Sequence, residues 1–262
     1  MKKTFLTAIT MVLFLVSCSQ KSTDVISSAL HFEEGFTQTL VFGTATEANQ
    51  MGSFEDMNEV YFQLDQITPD STFIFTGKVT RMQYKADIMG EKENVDTEIV
   101  KALNTVDEMS TTELEMYNEI KQYIDKEFTV ILDKYGNLIQ KATFKDTSSF
   151  MDASILQQYS PVPTFSFPEG TLAVGTTWNY ETKNPIVPSQ NMKFSYTIDD
   201  ITATTIFVDV NVDIDGISGV LEKMNAKGMY EIDRKTKRFI KGERTMNMQI
   251  GGGKATYKIY EQ

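Results

Sequence analysis

The sequence offers few residues for catalysis, since it contains one histidine, His31, and one cysteine, Cys18. Activated nucleophiles and histidine-rich metal sites need an imidazole or a thiolate held beside other polar groups. In this chain, either kind of site would have to be built on His31 or Cys18. No Gly-rich loop lies between a strand and a helix, where nucleotide-binding loops are found. We therefore predict no catalytic site, no metal site and no cofactor.

One segment is similar to a calcium-binding loop. Asn211, Asp213, Asp215 and Gly216, followed by Glu222, satisfy most of the spacing of a helix-flanked calcium loop. The first ligand is Asn rather than Asp, and the preceding residues have the β-branched alternation of a strand instead of an entering helix. We interpret the acidic residues as the solvent-facing side of a strand and predict no calcium site.

The N-terminal residues favour a lipoprotein signal peptide. Two lysines precede an apolar stretch from Phe5 to Val16 that is shorter than a membrane-spanning helix. The stretch ends in LVSC, which is similar to the lipobox read by lipoprotein signal peptidase. We predict a signal peptide over residues 1–17, lipidation of Cys18 and a polar tether over residues 18–28.

Lipidation at Cys18 would make the membrane the first partner of the protein. Several acyl chains bury many methylene groups, and each stabilises the attachment by about 0.8 kcal/mol. Ser19 follows the cysteine where a retained lipoprotein would have Asp, and this resembles the pattern of lipoproteins sorted to the outer membrane. We predict anchorage at the periplasmic face of that membrane.

The formal charge of the chain excludes one class of partner. The net charge is −11, and removal of residues 1–17 takes away two lysines and no acid, which leaves −13. Such a field repels nucleic acid and anionic headgroups. We therefore predict no nucleic-acid partner.

Most of the remaining chain alternates apolar and polar residues with the period of two that is typical of half-buried strands. The clearest run lies from Ile206 to Ile214. The other alternating segments are Val60 to Leu64, Thr72 to Tyr84, Phe128 to Leu132, Arg244 to Ile250 and Ala255 to Tyr260. Turn residues separate them, and three glycines between the last two favour a C-terminal hairpin. The predicted fold class is mainly β, a β-rich α+β fold of antiparallel hairpins.

One segment has helical periodicity instead. Its apolar stripe consists of Leu114, Tyr117, Ile120 and Ile124. Ser110 and Glu113 have the spacing of a capping box, so we predict a helix from Thr111 to Asp125 packed over the sheet. A shorter helical turn is predicted from Ser148 to Tyr159, because the prolines that follow cannot continue a helix.

A faint internal repeat relates the two halves of the chain. The matching segments are Val60 to Thr68 with Lys193 to Thr202, Glu34 to Phe36 with Val174 to Trp178, and Phe128 to Lys134 with Met229 to Arg234. We predict one continuous domain with two related β halves, residues 29–146 and 147–262. The first half carries a helical insertion near residues 97–126.

The run from Pro168 to Trp178 combines a proline-led turn, a Val-Gly pair and a tryptophan. Together with the segment Phe128 to Leu138, it resembles a family of uncharacterised bacterial envelope lipoproteins classed only as a domain of unknown function. The resemblance covers most of the chain after Cys18. It implies a fold and a location in the cell envelope but no activity. Gly175 is expected at a positive φ, and Trp178 is expected to pack in the core.

Two classes of function remain open from the sequence. The first is a non-catalytic binding or assembly module that docks an envelope partner, and it requires an exposed apolar or aromatic surface. The second is a carrier of an apolar ligand, such as a lipid, in a half-barrel-like cavity, and it requires an unfilled apolar volume. An enzyme is a third class, which would require a buried carboxylate pair in a cleft.

Overall fold

The computed structural model of the protein describes residues 24–49, 52–146, 156, 158–163, 166–183, 189–216, 223–248 and 252–262. The predicted signal peptide, Cys18 and the first part of the tether lie outside these ranges, as does most of the predicted turn from Ser148 to Tyr159. Within them the fold is mainly β and antiparallel, which confirms the predicted class. No helix in these ranges is long and apolar enough to cross a membrane.

Strands dominate the described residues, and two α-helices lie between β5 and β6. In chain order the elements are β1 (Ile26–Ser27), β2 (Thr37–Ala48), β3 (Gly52–Ile67), β4 (Phe73–Ile88), β5 (Glu91–Asp96), α1 (Thr97–Leu103), α2 (Thr111–Ile120), β6 (Glu127–Leu132), β7 (Leu138–Phe144), β8 (Thr171–Leu172), β9 (Thr177–Lys183), β10 (Asn191–Ile201), β11 (Thr205–Ile214), β12 (Met224–Asp233), β13 (Phe239–Asn247) and β14 (Lys254–Glu261), within the described ranges. The predicted C-terminal hairpin is confirmed as β13 and β14.

Among the described residues, twelve strands form one sheet in the order β7-β6-β4-β3-β2-β14-β13-β12-β11-β10-β9, with β5 paired to the second part of β4. The first half of the chain forms the meander β2 to β7 and the second half the meander β9 to β13. Strand β14 joins them, because it pairs with β13 on one side and with β2 on the other. β1 and β8 pair separately.

The two halves share a β-bulge at matching positions. In β3 the pairing with β4 skips Asp65, and in β10 the pairing with β11 skips Asp199. These two residues align in the internal repeat, three residues before its matching threonines. A bulge bends a strand and increases its twist. Both meanders therefore bend at the same place, as expected for two related halves.

The halves also share a turn, at the end of the sheet that we call the upper end. The Asp133 carboxylate accepts hydrogen bonds from the amides two and four residues further on, both at 2.8 Å. Asp233 accepts from the amides two and three residues further on, at 3.1 and 2.7 Å. The N-terminal segment crosses both turns, because Leu30 N donates to Lys134 O and Arg234 Nη1 donates to Asp24. The N-terminus thus lies at the upper end.

One face of the sheet carries the core, and we call it the inner face. The alternating residues of β11 from Ile206 to Ile214 are at most 6% exposed, which confirms the strand and its orientation. Side chains from outside the main sheet fill the upper part of this face. They are Leu30, Phe32, Leu156, Tyr159 and Val162, all buried.

Two large rings of the core approach each other over a glycine. The rings of Phe62 on β3 and Phe128 on β6 lie 6.1 Å apart, although β4 runs between these strands. The β4 residue between them is Gly77, and a Cβ at this position would overlap the Phe128 ring. The Tyr159 ring also packs against Phe128, with ring centroids 6.3 Å apart. Close packing of these rings depends on the absence of a side chain at Gly77.

The helical insertion contains two helices. The predicted capping box is confirmed, since Ser110 and Glu113 exchange side-chain and backbone hydrogen bonds at the start of α2. The predicted end at Asp125 is wrong: α2 stops at Ile120, and a 3-10 turn follows. After that turn the chain leaves the helical conformation at Asp125, which adopts a φ of 61° and donates its amide to the Val79 carbonyl of β4.

Candidate binding site on the inner face

The site is built from a row of inner-face residues that runs across the sheet. In antiparallel strands, directly paired residues point to the same face, so one row crosses every strand. From β9 to β5 the row contains Trp178, Tyr196, Val210, Gly228, Arg244, Tyr257, Thr44, Asp56, Tyr84 and Val95. We call it the Arg244 row. It differs from the rest of the core because it contains two ionisable groups of opposite charge.

The inner face opens to solvent at this row. The row above it consists of Ile198, Val208, Tyr230, Gly242, Ile259, Phe42, Asn58 and Met82, and every member is buried. Seven of the ten residues of the Arg244 row are half-buried. In the row below, Phe194, Met246, Ala255, Thr46 and Phe54 are half-buried as well. The half-buried positions of these two rows form what we call the inner groove.

Arg244 lies at the centre of the inner groove. Its guanidinium carbon is 4.5 Å from the centroid of the Tyr257 ring and 5.7 Å from that of Phe194. The Nε atom is buried and has no hydrogen-bond partner among the described residues. No carboxylate in the described ranges forms an ion pair with this guanidinium. Aromatic faces attract the cation, but they do not satisfy its N–H donors.

The space for this arrangement comes from β12. Phe194 and Arg244 are on strands β10 and β13, about 14 Å apart at the usual strand spacing. Gly228, the β12 residue paired with Arg244, has no side chain, and a Cβ there would overlap the β13 backbone. The arginine side chain therefore extends across β12 toward Phe194.

Three aromatic rings of these two rows form a stack, and the tyrosines near Arg244 are uncharged. The Trp178 and Tyr196 rings stack with centroids 5.2 Å apart, and Phe194 lies nearly parallel to Tyr196 at 6.0 Å. Burial raises the pKa of the Tyr196 and Tyr257 hydroxyls. Since both are uncharged at neutral pH, they do not neutralise Arg244.

Asp56 is the acidic group of the row. Burial raises the pKa of its carboxyl, although hydrogen bonds from Thr44 and Asn58 lower it in part. Asn58 Nδ2 donates to Asp56 at 3.2 Å. Two strands lie between Asp56 and Arg244, which corresponds to about 14 Å at the usual strand spacing, so the two charges do not pair directly.

The residues singled out from the sequence lie elsewhere. His31 is exposed at the upper end. Asn211 and Asp213 both accept hydrogen bonds from Asn225, at 2.9 and 3.0 Å, within β11 and β12. Glu222 lies outside the described ranges. In those ranges no group of three or more acidic, histidine or cysteine side chains is arranged to hold a metal ion.

Two further clefts contain cations that already have partners. A cleft of about 530 Å³ at the upper end contains Arg234 and Lys235, which pair with Asp24 and Glu33. It also contains Lys237, whose pKa burial lowers to about 8. A cleft of about 470 Å³ beside α1 contains Arg81, which is held by Asp96 and Glu98. Each of these cations thus has an acidic or carbonyl partner.

Arg244 was predicted from the sequence as a strand residue and not as a site residue, although the sequence carries a signal for that role. It stands two residues before Met246, on the apolar side of the alternation in β13. A charged residue on the apolar side of a strand is costly to bury unless it has a partner. Such an exception in a strand pattern is therefore a reason to look for a ligand.

Comparison with known proteins adds no relative. No model of a protein family matches the chain, and no curated protein sequence matches it. The chain is therefore described by its fold and its inner groove. The described residues form a large antiparallel sheet of two meanders with one partly open inner face.

Proposed function

We propose that the protein is a lipid-anchored, non-catalytic binding protein that holds its ligand in the inner groove. The observation that carries this proposal is the change from a fully buried row to a half-buried row that contains Arg244, a cation whose buried Nε has no hydrogen-bond partner in the described part of the chain. Buried polar groups are normally hydrogen-bonded, and a molecule bound in the groove would provide the partner that this one lacks.

The groove favours binding over catalysis. Its charged groups are the Asp56 carboxyl and the Arg244 guanidinium, which lie far apart, and an acid and base pair would need to lie within reach of one substrate atom. An open groove also has more support than an enclosed lipid cavity. The upper part of the inner face, where such a cavity would lie, is filled by Leu156, Tyr159 and Val162.

The proposed anchor sets the direction in which the groove opens. If Cys18 is lipidated, the residues from 18 to 23 span at most about 20 Å of extended chain. The upper end, which carries Asp24 and Leu30, then faces the membrane. The inner groove lies toward the opposite end of the sheet, so its mouth points away from the bilayer and toward the periplasm.

A substitution that fills the groove tests its role. We expect Ala255→Phe to weaken binding of the neutral dye Nile red at least about tenfold, equivalent to about 1.4 kcal/mol, because the ring occupies the space between Met246 and Thr46. The matched control is Thr256→Phe, which is half-buried on the other face of β14. Dye titration and thermal unfolding are measured for both variants. Equal dye binding by the two folded variants contradicts the proposal.

The anchor has its own test. We expect Cys18→Ser to leave the precursor uncleaved and unlipidated, because the modified atom is the cysteine sulfur. Fractionation of cells, alkaline washing of membranes and intact mass measurement provide the readout. The lipoprotein assignment is contradicted if the Cys18→Ser protein shows the same change in mass relative to its precursor as the native protein and stays on washed membranes.

A further inference from the structure

We infer that the ligand of the inner groove is an amphiphile with a single anionic head and an acyl chain, and that Arg244 binds the head. This inference rests on the proposed function, since it names the ligand class for the same groove. The head is a carboxylate or a phosphate, and both have the same complementarity to a guanidinium.

The first argument is the charge of the groove. The protein as a whole is acidic, with a net charge of −11, yet the centre of its open inner face is a cation. Tyr196 and Tyr257 are neutral, and Asp56 lies three strands away with a raised pKa. An anion is therefore attracted to this one position of the groove, while the surrounding surface repels it.

The second argument is the shape of the donors. The Tyr257 and Phe194 rings lie against the guanidinium, and its Nε atom is buried and unbonded. A carboxylate or phosphate binds an arginine through two parallel N–H donors in the plane of the guanidinium. An anion bound to the guanidinium would supply the acceptor that Nε lacks.

The third argument is the lining below the cation. Met192, Met224 and Met246 are half-buried on the inner face, and Phe54 and Ala255 are exposed to a similar extent. Methionine side chains adapt to irregular apolar shapes. A chain of methylene groups fits this lining better than a rigid polar ligand, and its head then reaches Arg244.

Displacement of Nile red by three probes tests the inference: palmitate, palmitoyl lysophosphatidate and hexadecanol. We expect both anions to bind more tightly than the uncharged alcohol. Arg244→Met should weaken the anions about 10- to 100-fold and leave hexadecanol unchanged. Arg244→Lys should give an intermediate affinity because it keeps the charge and loses the two-donor geometry. The control is Lys258→Met, which removes the same charge from the exposed side of β14.

The outcomes separate this inference from the proposed function. If only one anion responds to Arg244→Met, that head group is the ligand chemistry and the inference holds. If all three probes bind equally to the native protein and to Arg244→Met, while Ala255→Phe still blocks them, the inference is overturned and the groove remains a binding site. If Ala255→Phe blocks none of them, the proposed function fails. Thermal unfolding within a few degrees of the native protein confirms that each variant is folded.

Discussion

Phe128→Ala is expected to lower the free energy of unfolding by about 3–5 kcal/mol, the usual cost of removing a fully buried ring. Phe128 is 0% exposed and packs between Phe62 and Tyr159. Truncation leaves a cavity where two β strands and the segment between the halves meet. Urea unfolding followed by circular dichroism measures the loss.

The Gly77 position provides the control for this prediction. Gly77→Ala alone should cost about 1–3 kcal/mol, because its Cβ overlaps the Phe128 ring. In the Phe128→Ala background that clash is absent, so the added methyl group should cost little or stabilise the protein. The two substitutions are thus expected to be strongly non-additive. Additive losses would mean that the two residues do not share one packing site.

Asp96→Ala is expected to cost about 3 kcal/mol, because it removes one partner of a buried ion pair and the N-cap of α1 together. The Asp96 side chain is 2% exposed and binds Arg81 through both oxygens, at 3.1 and 2.5 Å. It also accepts from the amide of Glu98 at 3.1 Å. The matched control is Glu98→Ala, which removes an exposed partner of the same arginine and should cost less than about 1 kcal/mol.

We also expect Asp96 to make the free energy of unfolding depend on pH. Burial alone raises the pKa of the Asp96 carboxyl, but the hydrogen bonds and charge of Arg81 outweigh it, so the pKa lies below its ordinary value. A lowered pKa contributes stability above about pH 4, and this contribution is lost as the pH falls through the folded-state pKa. Asp96→Asn should flatten the acid limb of the stability profile. An unchanged profile would assign that limb to other carboxylates.

The strands that are buried on one face were predictable from the sequence. Ile206 to Ile214 and Phe128 to Leu132 alternate apart from the outward-facing Phe207 and Ile131, and the structure places each as a strand. The length of β4 was not predictable, because its last residues pair with β5, which a helical insertion follows. Local patterns carry the orientation of a strand, whereas its ends depend on partners that are distant in the sequence.

The groove was harder to predict for the same reason. Asp56 and Asn58 interrupt the apolar alternation at the start of β3, so this part of the strand had no period-two signal. Both residues face inward because β2 and β4 fix their register. The position of Arg244 beside Phe194 depends on the four strands from β10 to β13 and on Gly228 of β12. No local pattern in the sequence contains that juxtaposition.

The position of β14 also determines how late the fold can be completed. In the sheet formed by the described residues, β14 is the strand that pairs with both meanders, and its residues are the last ones in the sheet to be synthesised. Its partner β2 lies about two hundred residues earlier, so their pairing closes a long loop and is slow compared with hairpin formation. Until then, β2 and β13 each have an unpaired edge, which is a template for association with other chains. We therefore expect the unfolded chain to be prone to association until β14 is in place.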